Sequence, residues 1–274
     1  MRTHFEGLGK AWLTLFKEPQ RELPNLVVLT LDKGGTREAW RQNDEGLETL
    51  VMGWPAEAGL RIGVTVRGGL GERLKPISSY PLLEGLPNEM TVEAVHPWEN
   101  QSEGTVGAAR NEGAEALWFY TPFLFRDRDA LTPGVRHTFL VAGLAYGVRP
   151  ALLDEMTISS GPQYEEYTRQ WLEAHPGSSR LDVPQLTLPL AGSRILMPGD
   201  AYGDYQVRVP ITSVEEGAIG PETVYMLIVE FGLNTDNPLR FPLYAPARVC
   251  KDGYVPKAGD EIDALIWMQG RIAD

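Results

Sequence analysis

His137, Asp127 and Asp129 are the first candidates for chemistry. An imidazole and a carboxylate brought together in a cleft can share general acid–base work, and a hairpin over 126–137 could close that gap. The plainer reading makes Arg126-Asp127-Arg128-Asp129 a solvated hairpin tip, with local ion pairs worth well under ~1 kcal/mol each. Cys250 stands between Arg248 and Lys251, cations that lower a thiol pKa and favour a nucleophile. It has no histidine near it in sequence, so a small buried residue at a strand end is the stronger expectation. No Gly-x-Ser-x-Gly elbow occurs, and neither Ser159-Ser160-Gly161 nor Ser178-Ser179 has a strand-to-helix context. His4, His96, His137 and His175 show no pair at ligand spacing, so no metal site is expected. His96, in His96-Pro97-Trp98-Glu99, reads as a strand-end histidine beside a core tryptophan. In Gly68-Gly69-Leu70-Gly71-Glu72-Arg73-Leu74, glycines match the start of a dinucleotide loop, but Pro76 would cut the helix that must receive the pyrophosphate. No Walker-type Lys-Ser or Lys-Thr follows. A hairpin turn is expected there, and no cofactor.

Binding chemistry has a clearer source. The run from Trp118 to Phe125 is almost wholly aromatic or aliphatic. Strand alternation would send Trp118 and Tyr120 to one face and Phe119, Phe123 and Phe125 to the other. A strand apolar on both faces must be covered on both. Trp118, Tyr120, Phe123 and Phe125 are therefore the candidate contacts for a ligand or a partner. On an open barrel face such rings could stack on a base, a sugar or an aromatic ligand. Burial against a helix at 162–174 or a neighbouring barrel explains the run without one.

The chain that must position these groups has 274 residues and a formal charge of −12. Its 29 Gly and 21 Pro favour short strands joined by turns and exclude a long helical bundle. Nucleic acid is an improbable partner, since the chain is acidic and no run of four or more cations gathers to neutralise phosphates. An anionic membrane surface is disfavoured likewise, and the nearly apolar stretch 139–148 is too short to span a bilayer. The opening Met1-Arg2-Thr3-His4-Phe5-Glu6-Gly7 lacks the apolar core of a secretory signal, and a single Cys suits a reducing compartment. A cytoplasmic location is expected, and the acceptor pattern at Asn100-Gln101-Ser102 is taken as chance.

Residues 1–88 read as a small α/β unit. Leu8, Ala11, Trp12 and Leu15 recur at helical spacing up to Pro19, and residues 26–31 read as a buried strand before the Asp32-Lys33-Gly34-Gly35 turn. Thr36 could cap a helix carrying Trp40, Leu47, Leu50, Val51 and Trp54, weakened by Gly46; residues 61–67 alternate as a strand. The Pro-rich 75–88 segment reads as a linker whose Tyr80, Leu82, Leu83 and Leu86 suit packing instead.

Strands follow from Met90 onward, interrupted by one amphipathic helix with Pro162 at its first position and His175-Pro176-Gly177 at its end. Two blocks share an order of strand, Glu-Gly turn, apolar strand, Gly turn and closing strand. The first passes Val95, Glu103-Gly104, 117–120, Pro133-Gly134 and 144–147; the second passes Val209, Glu216-Gly217, 225–228, Gly259 and 267–270. This pattern resembles tandem five-stranded, partly open Greek-key barrels of the OB type; a β-sandwich is the alternative. The expected fold class is α+β, mainly antiparallel β, as two OB-like barrels or a sandwich behind the α/β unit. Expected boundaries are 1–88, 89–158 for the first block, 159–200 for a helix-containing connection and 201–274 for the second block. The leading functional expectation is a non-catalytic binding or assembly protein with a protein partner or a homo-oligomer. The alternative is a small-molecule enzyme using His137 with Asp127 and Asp129, or Cys250.

Overall fold

The computed structural model describes residues 8–32, 35–56, 58–69, 71–111, 113–232 and 237–273. His4, Leu70 and the opening 1–7 segment lie outside them. The fold is α+β and mostly antiparallel, in two compact units: Met1–Pro150 with Arg194–Asp274, and Ala151–Ser193.

At the N-terminus the apolar spacing gives helix α1 (Gly9–Leu15), which buries Ala11, Trp12 and Leu15. Pro19 opens helix α2 (Pro19–Asp32), a position where its missing N–H costs nothing. Residues 26–31 therefore lie in α2 and not in the expected strand. A six-residue apolar run has no period long enough to separate helix from strand, and packing of α2 on the sheet beside it decides. The expected helix over 36–54 is also replaced. A hairpin stands there, β1 (Thr36–Gln42) and β2 (Glu48–Trp54), because Asn43 Oδ1 accepts the N–H groups of Glu45 and Leu47 and Gly46 takes φ +77°. Strands β3 (Leu60–Gly68) and β4 (Lys75–Leu83) complete a four-stranded meander in the order β1-β2-β3-β4. The glycine-rich segment is the β3–β4 turn, and a strand follows it instead of a helix. Most of the Pro-rich segment is β4, with Tyr80, Leu82 and Leu83 buried.

The larger sheet has nine strands. Its first block holds β5 (Leu86–Pro97), β6 (Gly104–Ala109), β7 (Leu117–Thr121), a helical turn α3 (Leu124–Asp127) and β8 (Arg136–Pro150). The unit Ala151–Ser193 follows, with β9 (Glu155–Ile158), α4 (Pro162–Ala174) and β10 (Leu186–Pro189). The chain then returns through β11 (Ile195–Pro198), β12 (Asp204–Ile219), β13 (Glu222–Phe231), β14 (Leu239–Pro246) and β15 (Glu261–Ile272).

Pairing closes these strands into two rings. One runs β5-β6-β7-β15-β8 and back to β5; the other runs β12-β13-β14-β8-β15 and back to β12. Each closing strand, β8 or β15, pairs antiparallel with the first strand of its own meander and parallel with the third strand of the other. The two closing strands pair with each other from Ile262↔Pro150 to Ile272↔Phe139. Both rings thus share β8 and β15.

Alternation along these strands sorts two cores. Phe139, Val141 and Ala145 of β8 and Ile262, Ala264, Ile266 and Met268 of β15 face the ring interior. Ala142, Leu144 and Trp267 face outward, against a second core made by α1, α2 and the four-stranded meander. A register shift opposite Leu265/Ile266 inserts Tyr146, so Val148 faces inward again.

Close approach at the joint between the meander and the rings leaves no room for a side chain at Gly85. A Cβ there would lie 2.6 Å from the Leu140 carbonyl carbon and the Val141 nitrogen, whereas at Gly147 nothing lies within 4 Å. Gly85→Ala is expected to cost about 1–3 kcal/mol of stability, and Gly147→Ala less than about 0.5 kcal/mol. Urea denaturation midpoints check both.

Candidate functional site

The two predicted catalytic arrangements do not assemble. His137 lies on β8, and its Nε2 donates to the Ala130 carbonyl at 2.8 Å, not to a carboxylate. Asp127 is 6% exposed at the end of α3 and takes the Arg126 guanidinium at two points, 2.5 and 3.1 Å. Asp129 is exposed and pairs with Arg41 of β1. The 126–129 segment is thus partly a helical turn with a buried acid, not a solvated hairpin tip. Cys250 is 5% exposed, and burial pushes its thiol up to about 11. Its Sγ faces the Pro246 carbonyl at 3.7 Å. Neither Arg248 nor Lys251 activates it.

The aromatic run divides three ways. Phe119 enters the ring interior, where it meets Phe139 edge-on at 5.3 Å. Tyr120, Phe123 and Phe125 join the second core, because β7 ends at Thr121 and the chain turns into α3. Strict alternation fails beyond that turn, so Phe123 and Phe125 share Tyr120's side. Trp118 alone reaches the surface, half-buried, its ring lying over Gly107. There it meets His96 of β5 at 5.1 Å and Tyr202 of the β11–β12 turn at 4.5 Å; His96 and Tyr202 are 5.6 Å apart. His96 is exposed and Tyr202 is 62% exposed. His96 packs with Trp118 and Tyr202, and Trp98, beside it in sequence, meets Tyr120 at 5.0 Å. Tyr205 fixes this group from below: its hydroxyl accepts the Trp118 N–H at 2.7 Å and donates to the Trp118 carbonyl at 3.1 Å. No local signal announced Tyr202, since only strand pairing brings it beside β7.

A buried polar cluster lies under the other end of β7. Glu103 is 0% exposed and accepts from Tyr120 at 2.5 Å, from Asn100 Nδ2 at 3.1 Å, and from Ser78 of β4. The Glu-Gly pair reads in sequence as a turn, which hides an acid that ties the meander to the first ring. Tyr80 bonds Thr65 at 2.9 Å and lies edge-on to Tyr120 at 5.9 Å. Burial first, and then the Glu103 charge, pushes the hydroxyls of Tyr80 and Tyr120 well above the usual tyrosine range. Among the described residues no group of three His, Cys, Asp or Glu side chains is placed to hold a metal ion, and no helix is long and apolar enough to cross a membrane.

Comparison of the chain with family models, with curated proteins and with solved structures finds no match.

Two measurements follow from these environments. Unfolded tyrosines release their protons near pH ~10 while the folded Tyr80 and Tyr120 keep theirs. Their contribution to stability is therefore full below about pH 10 and falls as pH rises past it. Tyr120→Phe should flatten that fall in an alkaline urea-denaturation series and cost about 1.5–3 kcal/mol near neutrality, the loss of one charged hydrogen bond. Ellman's reagent should leave native Cys250 unmodified and titrate one thiol after unfolding; fast labelling of the native chain would contradict the sealed position.

Proposed function

We propose that this chain is a non-catalytic binding protein of the cytoplasm, an internally duplicated pair of OB-like rings that assembles with a second copy of itself. The observation that carries this reading is the group His96, Trp118 and Tyr202, three mutually packed rings left at the surface of the first ring. Aromatic side chains bury large area at small entropic cost and are enriched in interfaces. The duplication is supported by the matching pairing of β5–β8 and β12–β15, and the OB likeness by two closed rings of five strands. Both ring interiors are filled by apolar side chains, so a partner meets the outside. A lone thiol suits a reducing compartment. Among the described residues His137 bonds the Ala130 carbonyl and Cys250 the Pro246 carbonyl, and neither contact supports catalysis.

Light scattering coupled to size exclusion tests the assembly. The expected result is a mass above the 30.4 kDa of one chain, shifted toward one chain by Tyr202→Ala. A wild-type protein that stays at 30.4 kDa across concentrations overturns self-assembly through this surface.

A further inference from the structure

The described surface holds a cationic cleft, unusual in a chain of charge −12. It has a volume of about 190 Å³ and is lined by Arg41, Asn43, Thr49, Arg67, Phe125 and Arg128, with Leu47 and Gln101. Among the described residues no carboxylate lines it. Arg41 and Arg67 come from β1 and β3 of the meander, and Arg128 follows α3 on the ring side. The cleft therefore lies across the joint between meander and rings, within one compact unit.

Protein contacts use only part of each guanidinium. Arg41 donates to the Phe125 carbonyl at 3.1 Å and the Arg126 carbonyl at 3.3 Å, and pairs with Asp129. Arg67 donates from Nε to Thr49 at 3.3 Å, and from Nη2 to the Asn100 carbonyl at 2.9 Å and to Ser102. Arg128 donates from Nη2 to the Gln101 carbonyl at 2.8 Å. Nη1 of Arg67 and Nε and Nη1 of Arg128 have no protein acceptor among the described residues. Asn43 adds a further donor, because its Oδ1 is held by two backbone N–H groups and its Nδ2 is not.

Charge tells the same story as hydrogen bonding. Asp129 offsets Arg41, and the buried Glu103 acts on Arg67 from the core side. Burial and then the repulsion of Arg128 lower the Arg67 pKa, and Glu103 offsets only part of this. Two like charges are thus held near each other in a partly desolvated cleft with open donors on several sides. Donors converging from several elements suit a tetrahedral oxyanion, since a planar carboxylate is satisfied by a single fork.

We propose that this cleft is a binding site for a phosphate group of a small molecule, held by Arg67 and Arg128 with Asn43 at its side. The volume admits one such group. A phosphate group carries about −1.5 to −2 charges near neutrality, enough to quench the repulsion between the two guanidiniums.

Isothermal titration of the full chain with inorganic phosphate, and separately with glycerol phosphate and malonate, tests the site. Saturable one-to-one phosphate binding is expected, weakened by added salt and weakened roughly tenfold by Arg67→Gln or Arg128→Gln. Arg128→Lys keeps the charge, loses the fork, and should weaken binding by a smaller factor. Arg136→Gln, which removes an exposed guanidinium paired to Glu89, should leave binding unchanged. Arg128 is exposed with one hydrogen bond to a carbonyl, so its variants test the site even if Arg67→Gln fails to fold. No saturable phosphate binding, malonate binding as tightly as phosphate, or an equal loss with Arg136→Gln would each overturn the proposal.

Discussion

The antiparallel pairing of β8 with β15 is the constraint on which the rest of the molecule depends. Each strand completes one ring and lends an edge to the other, so neither meander closes without a strand from the opposite block. A short strand left unpaired presents a row of open N–H and C=O groups, and ring closure removes that edge. The arrangement also explains how one strand pair serves two cores. The inward faces of β8 and β15 fill the rings, while Ala142, Leu144 and Trp267 turn outward to receive the N-terminal meander.

That outward face is held by polar groups as well as by apolar burial. Gln269 of β15 accepts the Leu83 N–H at 2.9 Å and donates to the Pro81 carbonyl at 2.8 Å, gripping the edge of β4. Glu103 does the same from the ring side through Ser78. A buried carboxylate is tolerable only when donors satisfy it, and three side chains do so here. The meander is thereby set in a fixed register against the rings, and this register puts Arg41 and Arg67 opposite Arg128. The cleft and the exposed aromatic group are both products of the same closure, one beside α3 and one beside the β11–β12 turn.

Much of the ring region was legible in the sequence. Strands at 90–95, 105–109, 136–148, 223–231 and 260–268 announce themselves by alternation or by apolar runs between Gly and Pro turns, and the structure has strands over each. The helix ended by His175-Pro176-Gly177 is also where the spacing put it. The N-terminal region misled where its patterns were short. Trp40, Leu50, Val51 and Trp54 fit a helical stripe and a hairpin equally well, and the decision fell to the turn chemistry of Asn43 and Gly46. Residues 26–31 could be strand or helix until the sheet beside them was in place.

By itself, then, the chain determined the class α+β and the abundance of turns, because periodicity and Gly/Pro placement are local properties of neighbouring residues. The expected match of its two blocks was misaligned: Glu216-Gly217 lies inside β12 instead of in a turn, and 117–120 is the third strand of its meander whereas 225–228 is the second. Tertiary structure alone decided which strands share a ring, and that Trp118 would meet His96 and Tyr202. It also kept His137 from its acids and brought Arg41, Arg67 and Arg128 to one cleft. The reason is physical: a contact between residues far apart along the chain depends on pairing register and on which closing strand each meander accepts, and no local spacing encodes either.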